Sequence, residues 1–214
     1  MSTFPWDQSS SLRPPILLNS GKLARHNPRD IAPAETRMIK FRALDWPTDR
    51  AALLALDTNF ATDRFYRLKQ AGRSVSFEET TAPSPIYKSY SLINRVDELP
   101  TMSWVQVAHD ADVVVGLVAL RFEEWNRRAR LEHLYVAKHH RGRGIGRMLV
   151  ESAVKRARQL GARGVWVETQ TTNYAAICFY ERIGFGWCGL DTSLYDADEV
   201  SVEEFALFLW RPVS

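Results

Sequence analysis

The clearest chemical signal in this chain is the run Arg141-Gly142-Arg143-Gly144-Ile145-Gly146-Arg147, preceded by His139 and His140. It stands between an alternating apolar stretch, Leu131 to Ala137, and a helical pattern, Met148 to Leu160. Glycines let a backbone come close to a ligand, and a turn that opens a helix presents N–H groups with no intrahelical partner. The helix dipole adds partial positive charge, and Arg141, Arg143 and Arg147 add full charges, so a pyrophosphate is the natural guest of such a turn.

Two common phosphate loops fit poorly. A Walker loop would end in Gly-Lys-Ser or Gly-Lys-Thr to supply a lysine and a magnesium ligand, and neither is present, which argues against a nucleoside triphosphatase. A dinucleotide fingerprint spaces its glycines G-x-G-x-x-G, whereas Gly142, Gly144 and Gly146 alternate with single residues, which argues against NAD. A second group lies downstream, in Asn173-Tyr174-Ala175-Ala176-Ile177-Cys178-Phe179-Tyr180-Glu181-Arg182-Ile183-Gly184-Phe185. Asn173 and Tyr180 are two helical turns apart, so both side chains can meet one ligand.

Arg141-x-x-Gly144-x-Gly146 after a strand resembles the acetyl-CoA pyrophosphate loop of the GCN5-related N-acetyltransferases (GNAT). The Asn…Phe-Tyr…Gly-Phe pattern beyond it resembles a second motif of that family, in order and at the same distance. The resemblance covers about Thr36 to Trp210. Within the family it looks closest to the streptothricin N-acetyltransferases, on Tyr87-Lys88-Ser89-Tyr90, Trp125-Asn126-Arg127, Glu168-Thr169-Gln170 with Asn173, and Asp191-Thr192-Ser193-Leu194-Tyr195.

The resemblance implies an acetyl-CoA-dependent transfer of acetyl to a primary amine by direct attack in a ternary complex, with no metal. The implied acceptor is streptothricin, at its β-lysine amine, or a similar small amine, and the implied outcome is antibiotic resistance. Tyr180 resembles the family's general acid, which returns a proton to the departing thiolate. Glu168 and Glu132 match positions where family members keep a catalytic glutamate. By the two-residue strand period His133 points away from Glu132, so only one of the two is expected to face substrate. Cofactor contacts are implied for the backbone of Leu134, Tyr135 and Val136, for Arg141, Gly142, Arg143, Gly144, Ile145, Gly146 and Arg147, and for Asn173 and Tyr180. Trp125, Asn126, Tyr87 and Asp191 are the expected substrate contacts, and Glu123, Glu124 and Asp196 could add attraction for a polycation. A protein or peptide N-acetyltransferase and a non-catalytic acyl-CoA sensor are the alternative readings.

Composition bounds the rest. At 214 residues and 45% hydrophobic the chain can bury one good core. A formal charge of +3 is far from the clustered basic surface of a nucleic-acid binder. Cys178 and Cys188 are too few for a disulfide framework and sit in apolar patterns, so buried, reduced thiols and a cytoplasmic setting are expected. No membrane span or signal peptide is evident, and homodimer formation is left open.

Residues 1–35 mix Ser, Pro, Arg and Asn and read as a partly disordered N-terminal extension, with the acetyltransferase domain expected over 36–214. A first strand over Met38 to Leu44 stops at Asp45-Trp46-Pro47. Thr48 is the expected N-cap of a helical region from Ala51 to Leu68, with a possible break near Asn59, ended by Gly72. Ser74 to Thr80 alternates weakly as a strand, and Ala82-Pro83-Ser84-Pro85 reads as a loop. Strands are predicted over Trp104 to Ala108, Val113 to Glu123, Leu131 to Val136, Val165 to Thr169, Trp187 to Leu194 and Phe205 to Arg211, with helices over Met148 to Leu160 and Asn173 to Ile183. The class is α/β: a mixed central sheet of about seven strands flanked by helices, the GNAT-type acyl-CoA N-acyltransferase fold that the resemblance implies.

Overall fold

The computed structural model describes residues 38–90, 92–196, 198, 200 and 204–213. The expected N-terminal extension, residues 1–35, lies outside them. Strand β1 (Lys40–Ala43) leads into a short helix α1 (Arg50–Leu54), then the long strands β2 (Phe60–Ala71) and β3 (Ser74–Lys88). A 3-10 segment (Val96–Thr101) precedes β4 (Trp104–Asp110), β5 (Val113–Glu123) and β6 (Arg128–Val136). Helix α2 (Ile145–Gln159), β7 (Gly164–Gln170), α3 (Tyr174–Arg182), β8 (Gly186–Asp191) and β9 (Ala206–Pro212) complete the chain. No helix among the described residues is long and apolar enough to cross a membrane.

Seven strands form one sheet in the order β1-β4-β5-β6-β7-β9-β8, and β2 with β3 forms a separate two-stranded ribbon. Every pairing in the large sheet is antiparallel except β6 with β7, which α2 joins as a crossover. The nearly unbroken apolar run of β5 follows from burial on both faces. Val115, Val118 and Leu120 pack with Leu149, Val150 and Ala153 of α2, while Leu117 and Ala119 meet Leu53, Val96 and Leu99 on the other side. Helix α2 buries Ile145, Leu149, Val150, Ala153 and Ala157 along one stripe.

The helical region expected over Ala51 to Leu68 survives only as α1, because residues from Phe60 onward are strand. Gly72, at φ 60°, turns a hairpin instead of ending a helix, and Ala71 pairs with Ser74. Diagonal ion pairs, Arg64 with Glu79 and Lys69 with Glu78, then tie the two strands. Non-local pairing thereby overrides a local helical pattern. Pro83 and Pro85 fall inside β3 rather than in a loop. They occupy the register break where pairing jumps from Arg64↔Thr81 to Thr62↔Ile86, so no ladder N–H is asked of them.

Asp49, not Thr48, caps α1 in position, and its carboxylate serves the sheet. It accepts hydrogen bonds from both Arg42 guanidinium nitrogens, at 2.6 and 2.5 Å, and from Asp45 N at 2.9 Å. The Arg42 bond is the main reason that its pKa lies below the ordinary aspartate value, against an opposing burial effect. A depressed folded pKa stabilises fully above about 3.9 and the contribution is lost as pH falls through the depressed value. Asp49→Asn is therefore expected to lower stability near neutral pH by about 1 kcal/mol, modest because Arg42 is partly solvent-exposed. Thermal melts across the acid range should show the difference from the parent protein shrinking as pH falls below the ordinary aspartate value.

Candidate active site

Strands β6 and β7 pair only at Arg128↔Gly164, Ala129↔Val165 and Arg130↔Trp166. Beyond these points they splay, and a pocket of ≈ 550 Å³ opens between them. Its walls include Leu131 to Val136 of β6 and Val167 to Gln170 of β7, the parts of the two strands that have left the ladder. A strand edge without a neighbour presents N–H and C=O groups that an extended ligand can pair with. Asn173, Ala176 and Tyr180 close the α3 side, and Thr58, Phe60, Tyr90 and Arg95 close another.

The predicted catalytic trio, Tyr180, Glu168 and Glu132, lines this one pocket. Tyr180 is only 6% exposed and packs between Phe179 and Phe185, at ring separations of 5.2 and 5.3 Å. Burial pushes its phenol well above the ordinary tyrosine pKa, so it remains an O–H donor at neutral pH. Burial also raises the Glu168 carboxyl, while a hydrogen bond donated by Tyr195 partly offsets that rise. Glu132 is ion-paired with Arg130 Nε at 3.1 Å and with Arg95 at 3.6 Å.

His133 differs from the strict alternation expected of a strand. Register shifts between Ala119↔His133 and Leu120↔Leu131, leaving Glu132 as the extra residue of a bulge. Leu131, Leu134 and Val136 face the α2 core, while His133 stacks on Tyr135, which faces the other cluster. Glu132 and His133 therefore both border the pocket. Burial holds the His133 imidazole down to about 4, so it is neutral.

The glycine run forms the turn into α2. Gly142 and Gly144 have φ of 77° and 80°, a region where side chains are strained, and Gly144 caps the helix. Gly146 lies against Phe179, which a Cβ there would touch at 3.4 Å. The Ile145 side chain is buried in the core, so only its backbone can meet a ligand. Arg141 lines the pocket and donates to Val136 O at 2.9 Å and Asn59 O at 2.7 Å, bracing the end of β6. Arg143 and His140 share Asp110 Oδ2, at 3.3 and 3.2 Å, which moors the turn to the β4–β5 hairpin. Arg147 sits in the first turn of α2. Asn173 is the N-cap of α3, its Oδ1 accepting from Ala176 N at 3.2 Å, and it borders the pocket beside Tyr180.

The four expected substrate contacts are not brought to this pocket. Trp125, 87% exposed, and Asn126 occupy the β5–β6 turn, at the end of β6 far from the splay. Asn126 serves that turn, donating to Glu123 and accepting from Arg128 N. Tyr87, 76% exposed, lies at the end of the ribbon, and Asp191 accepts from Ser193 N and Oγ in a local turn. Their neighbours in sequence are at the site instead. Tyr90 donates to Gln170, and Tyr195 donates to Glu168. Arg95 and Arg130 also line the pocket and carried no sequence signal of their own. Cys178 and Cys188 are free thiols, but Cys178 is half-buried and Cys188 exposed, unlike the burial expected from their patterns.

A model of the acetyltransferase (GNAT) family matches residues 65–185. Streptothricin acetyltransferase of Streptomyces lavendulae is 33% identical over 174 residues, 78% of this chain and 91% of that protein. A crystal structure of nourseothricin acetyltransferase superposes with a TM-score of 0.72 at 36% identity, covering 82% of this chain and 99% of the other. A Bacillus anthracis protein assigned as a streptothricin acetyltransferase, crystallised in complex with acetyl coenzyme A, gives 0.71 at 25% identity over 82% of this chain and 99% of that one. With the sheet, the splay and the glycine turn in agreement with these likenesses, the chain belongs to the GNAT family of acetyltransferases.

Proposed function

We propose that this protein transfers the acetyl group of acetyl-CoA to a primary amine by direct attack in a ternary complex, and that a streptothricin-type molecule is the first acceptor to test. The observation that carries this reading is the splay of β6 from β7, which collects a phenol, two carboxylates and an unpaired strand edge around one pocket. The β-lysine amine of streptothricin comes first because a relative and two solved neighbours are acetyltransferases of that type.

The roles we assign come from the resemblance, and the geometry supports them. The free edge at Leu134, Tyr135 and Val136 pairs with the pantetheine arm as an added strand, and one of its N–H groups steadies the tetrahedral oxyanion. Backbone N–H groups from Gly142 to Arg147, with the α2 dipole and the Arg141 charge, hold the pyrophosphate. An alkyl amine with a pKa of about 10.4 is rarely neutral at pH 7, so Glu168 or Glu132 draws off its proton, directly or through water. The nitrogen lone pair attacks the thioester carbon, the C–S bond breaks, and Tyr180 gives its proton to the thiolate; the nitrogen releases its surplus proton to solvent and Tyr180 takes one back, leaving amide and free thiol.

Gly144→Val tests the cofactor half. A branched side chain at φ 80° strains the turn by about 1–3 kcal/mol, so the loop should shift. KM for acetyl-CoA is expected to rise about ten-fold or more with a smaller change in kcat, read by thiol release. The reading as a whole is tested by thiol release from acetyl-CoA with streptothricin, lysine, polyamines and short peptides. Turnover of a small amine supports it, and silence with all of them overturns it.

A further inference from the structure

Two glycines with positive φ, Gly142 at 77° and Gly144 at 80°, flank Arg143 in the turn that precedes α2. At both, nothing but the chain's own neighbours lies within 4 Å of where a Cβ would stand. Glycine reaches more of φ/ψ space than any other residue, so two of them without packing leave a turn free to relax into several shapes. The upstream half of the turn is well tied. Ala137 N donates to Val115 O at 2.9 Å and Lys138 N to Asp57 O at 3.1 Å, and Arg141 adds Val136 O and Asn59 O. Between Arg141 and the start of α2, the described residues give one side-chain tie, from Arg143 to Asp110.

Asp110 is the last residue of β4, joined to β5 by Ala111 and Asp112. Its strand is a firm base, since Val107 pairs with Leu117 of β5 and both are fully buried. The Asp110 side chain is 14% exposed, with Oδ2 3.3 Å from Arg143 Nη1 and 3.2 Å from His140 Nε2. Asp110 Oδ1 and His140 Nδ1 are buried without hydrogen-bond partners. Withdrawal from water leaves the attraction among these groups less screened than in a solvated surface pair, at a cost in the two unpaired atoms.

Charge alone gives Asp110 the opposite effect from its geometry. A carboxylate near a pyrophosphate site repels the ligand, so its loss should tighten binding if charge were all that mattered. Its hold on Arg143 works the other way, by keeping the N–H groups of Gly142 to Gly144 aimed at one anion in advance of binding. Resting on the acetyltransferase reading above, we infer that Asp110 is a positioning residue for acetyl-CoA, fixing the shape of the glycine turn through Arg143 and His140. The repulsion is the smaller effect, because the Arg143 guanidinium beside the carboxylate offsets its charge.

Titration calorimetry with CoA, and thiol-release kinetics, test this on three variants. Asp110→Ala removes both oxygens, Asp110→Asn keeps one acceptor oxygen without the charge, and Asp112→Ala removes the same charge from an exposed side chain of the same hairpin. Asp110→Ala is expected to raise Kd for CoA and KM for acetyl-CoA by about five- to ten-fold, with kcat at saturating acetyl-CoA within about two-fold of the parent. Asp110→Asn should lie between Asp110→Ala and the parent, and Asp112→Ala should leave both constants within about two-fold. Melting temperatures report folding. Should Asp110→Ala fail to fold, Asp110→Asn still decides: a Kd above the parent's supports the inference, and one equal to it or below overturns it. Unchanged or tighter CoA binding in Asp110→Ala, or an equal loss in Asp112→Ala, overturns the inference while the acetyltransferase reading stands. Silence with every amine while CoA still binds overturns the acetyltransferase reading alone, and a parent protein that binds no CoA overturns both.

Discussion

Tyr180→Phe is expected to lower kcat by about a hundred- to a thousand-fold while leaving KM for acetyl-CoA nearly unchanged, the range over which a positioned general acid acts. The substitution removes one oxygen. Its ring, packed between Phe179 and Phe185, stays in place, so folding is not in question. Within the described residues the Tyr180 hydroxyl makes no hydrogen bond to the protein, although the side chain borders the pocket. A purely structural tyrosine would have a partner to lose, and a hydroxyl without one is consistent with the proposed role toward a ligand. Thiol release at saturating acetyl-CoA, with melting temperature alongside, separates the two roles: an unchanged kcat would remove Tyr180 from the chemistry. A drop in kcat with an unchanged melt is the result expected of a proton donor.

Glu168→Gln carries the second large effect. Its carboxyl is raised by burial, with the Glu132 charge adding to the rise and Tyr195, Arg130 and Arg95 opposing it. As the proposed proton acceptor it must be ionised, so kcat/KM of the parent protein is expected to fall as pH drops through this raised pKa. Glu168→Gln is expected to lower kcat/KM by about a hundred-fold near neutral pH and to flatten that acid limb. Tyr195→Phe gives the complementary sign. Tyr195 donates to the ionised carboxylate and lowers its pKa, so removing the hydroxyl should move the acid limb to higher pH without abolishing turnover. If Glu168→Gln keeps the parent's acid limb, Glu132 becomes the leading acceptor of the amine proton.

How much of this was legible in the chain depends on how local the signal is. The glycine turn and the start of α2 were readable because positive φ and the opening of an amphipathic stripe are written in adjacent residues. The β2–β3 ribbon was not, since a helix-like run at Ala51 to Leu68 is recast as strand by partners many residues away. Two expected substrate contacts fell three and four positions from residues that line or serve the pocket: Tyr87 for Tyr90, Asp191 for Tyr195. A stretch can point to a site without telling which of its side chains turns inward, because bulges and loop ends reset the direction.

By itself the sequence determined the α/β class and the glycine turn into α2, consequences of local spacing and residue type, while the link from that turn to Asn173 and Tyr180 came from the resemblance to a family. Only the tertiary structure decided where a pocket opens. The splay of β6 from β7 depends on register between strands separated by a helix. The Glu132 bulge depends on how β6 pairs with β5, and it brings His133 to the pocket against the simple two-residue period. Arg95 joins them from a loop with no pattern to mark it. The turn and its helix are short-range features that a stretch of chain specifies alone, whereas a pocket is a gap between distant segments and exists only once they have packed.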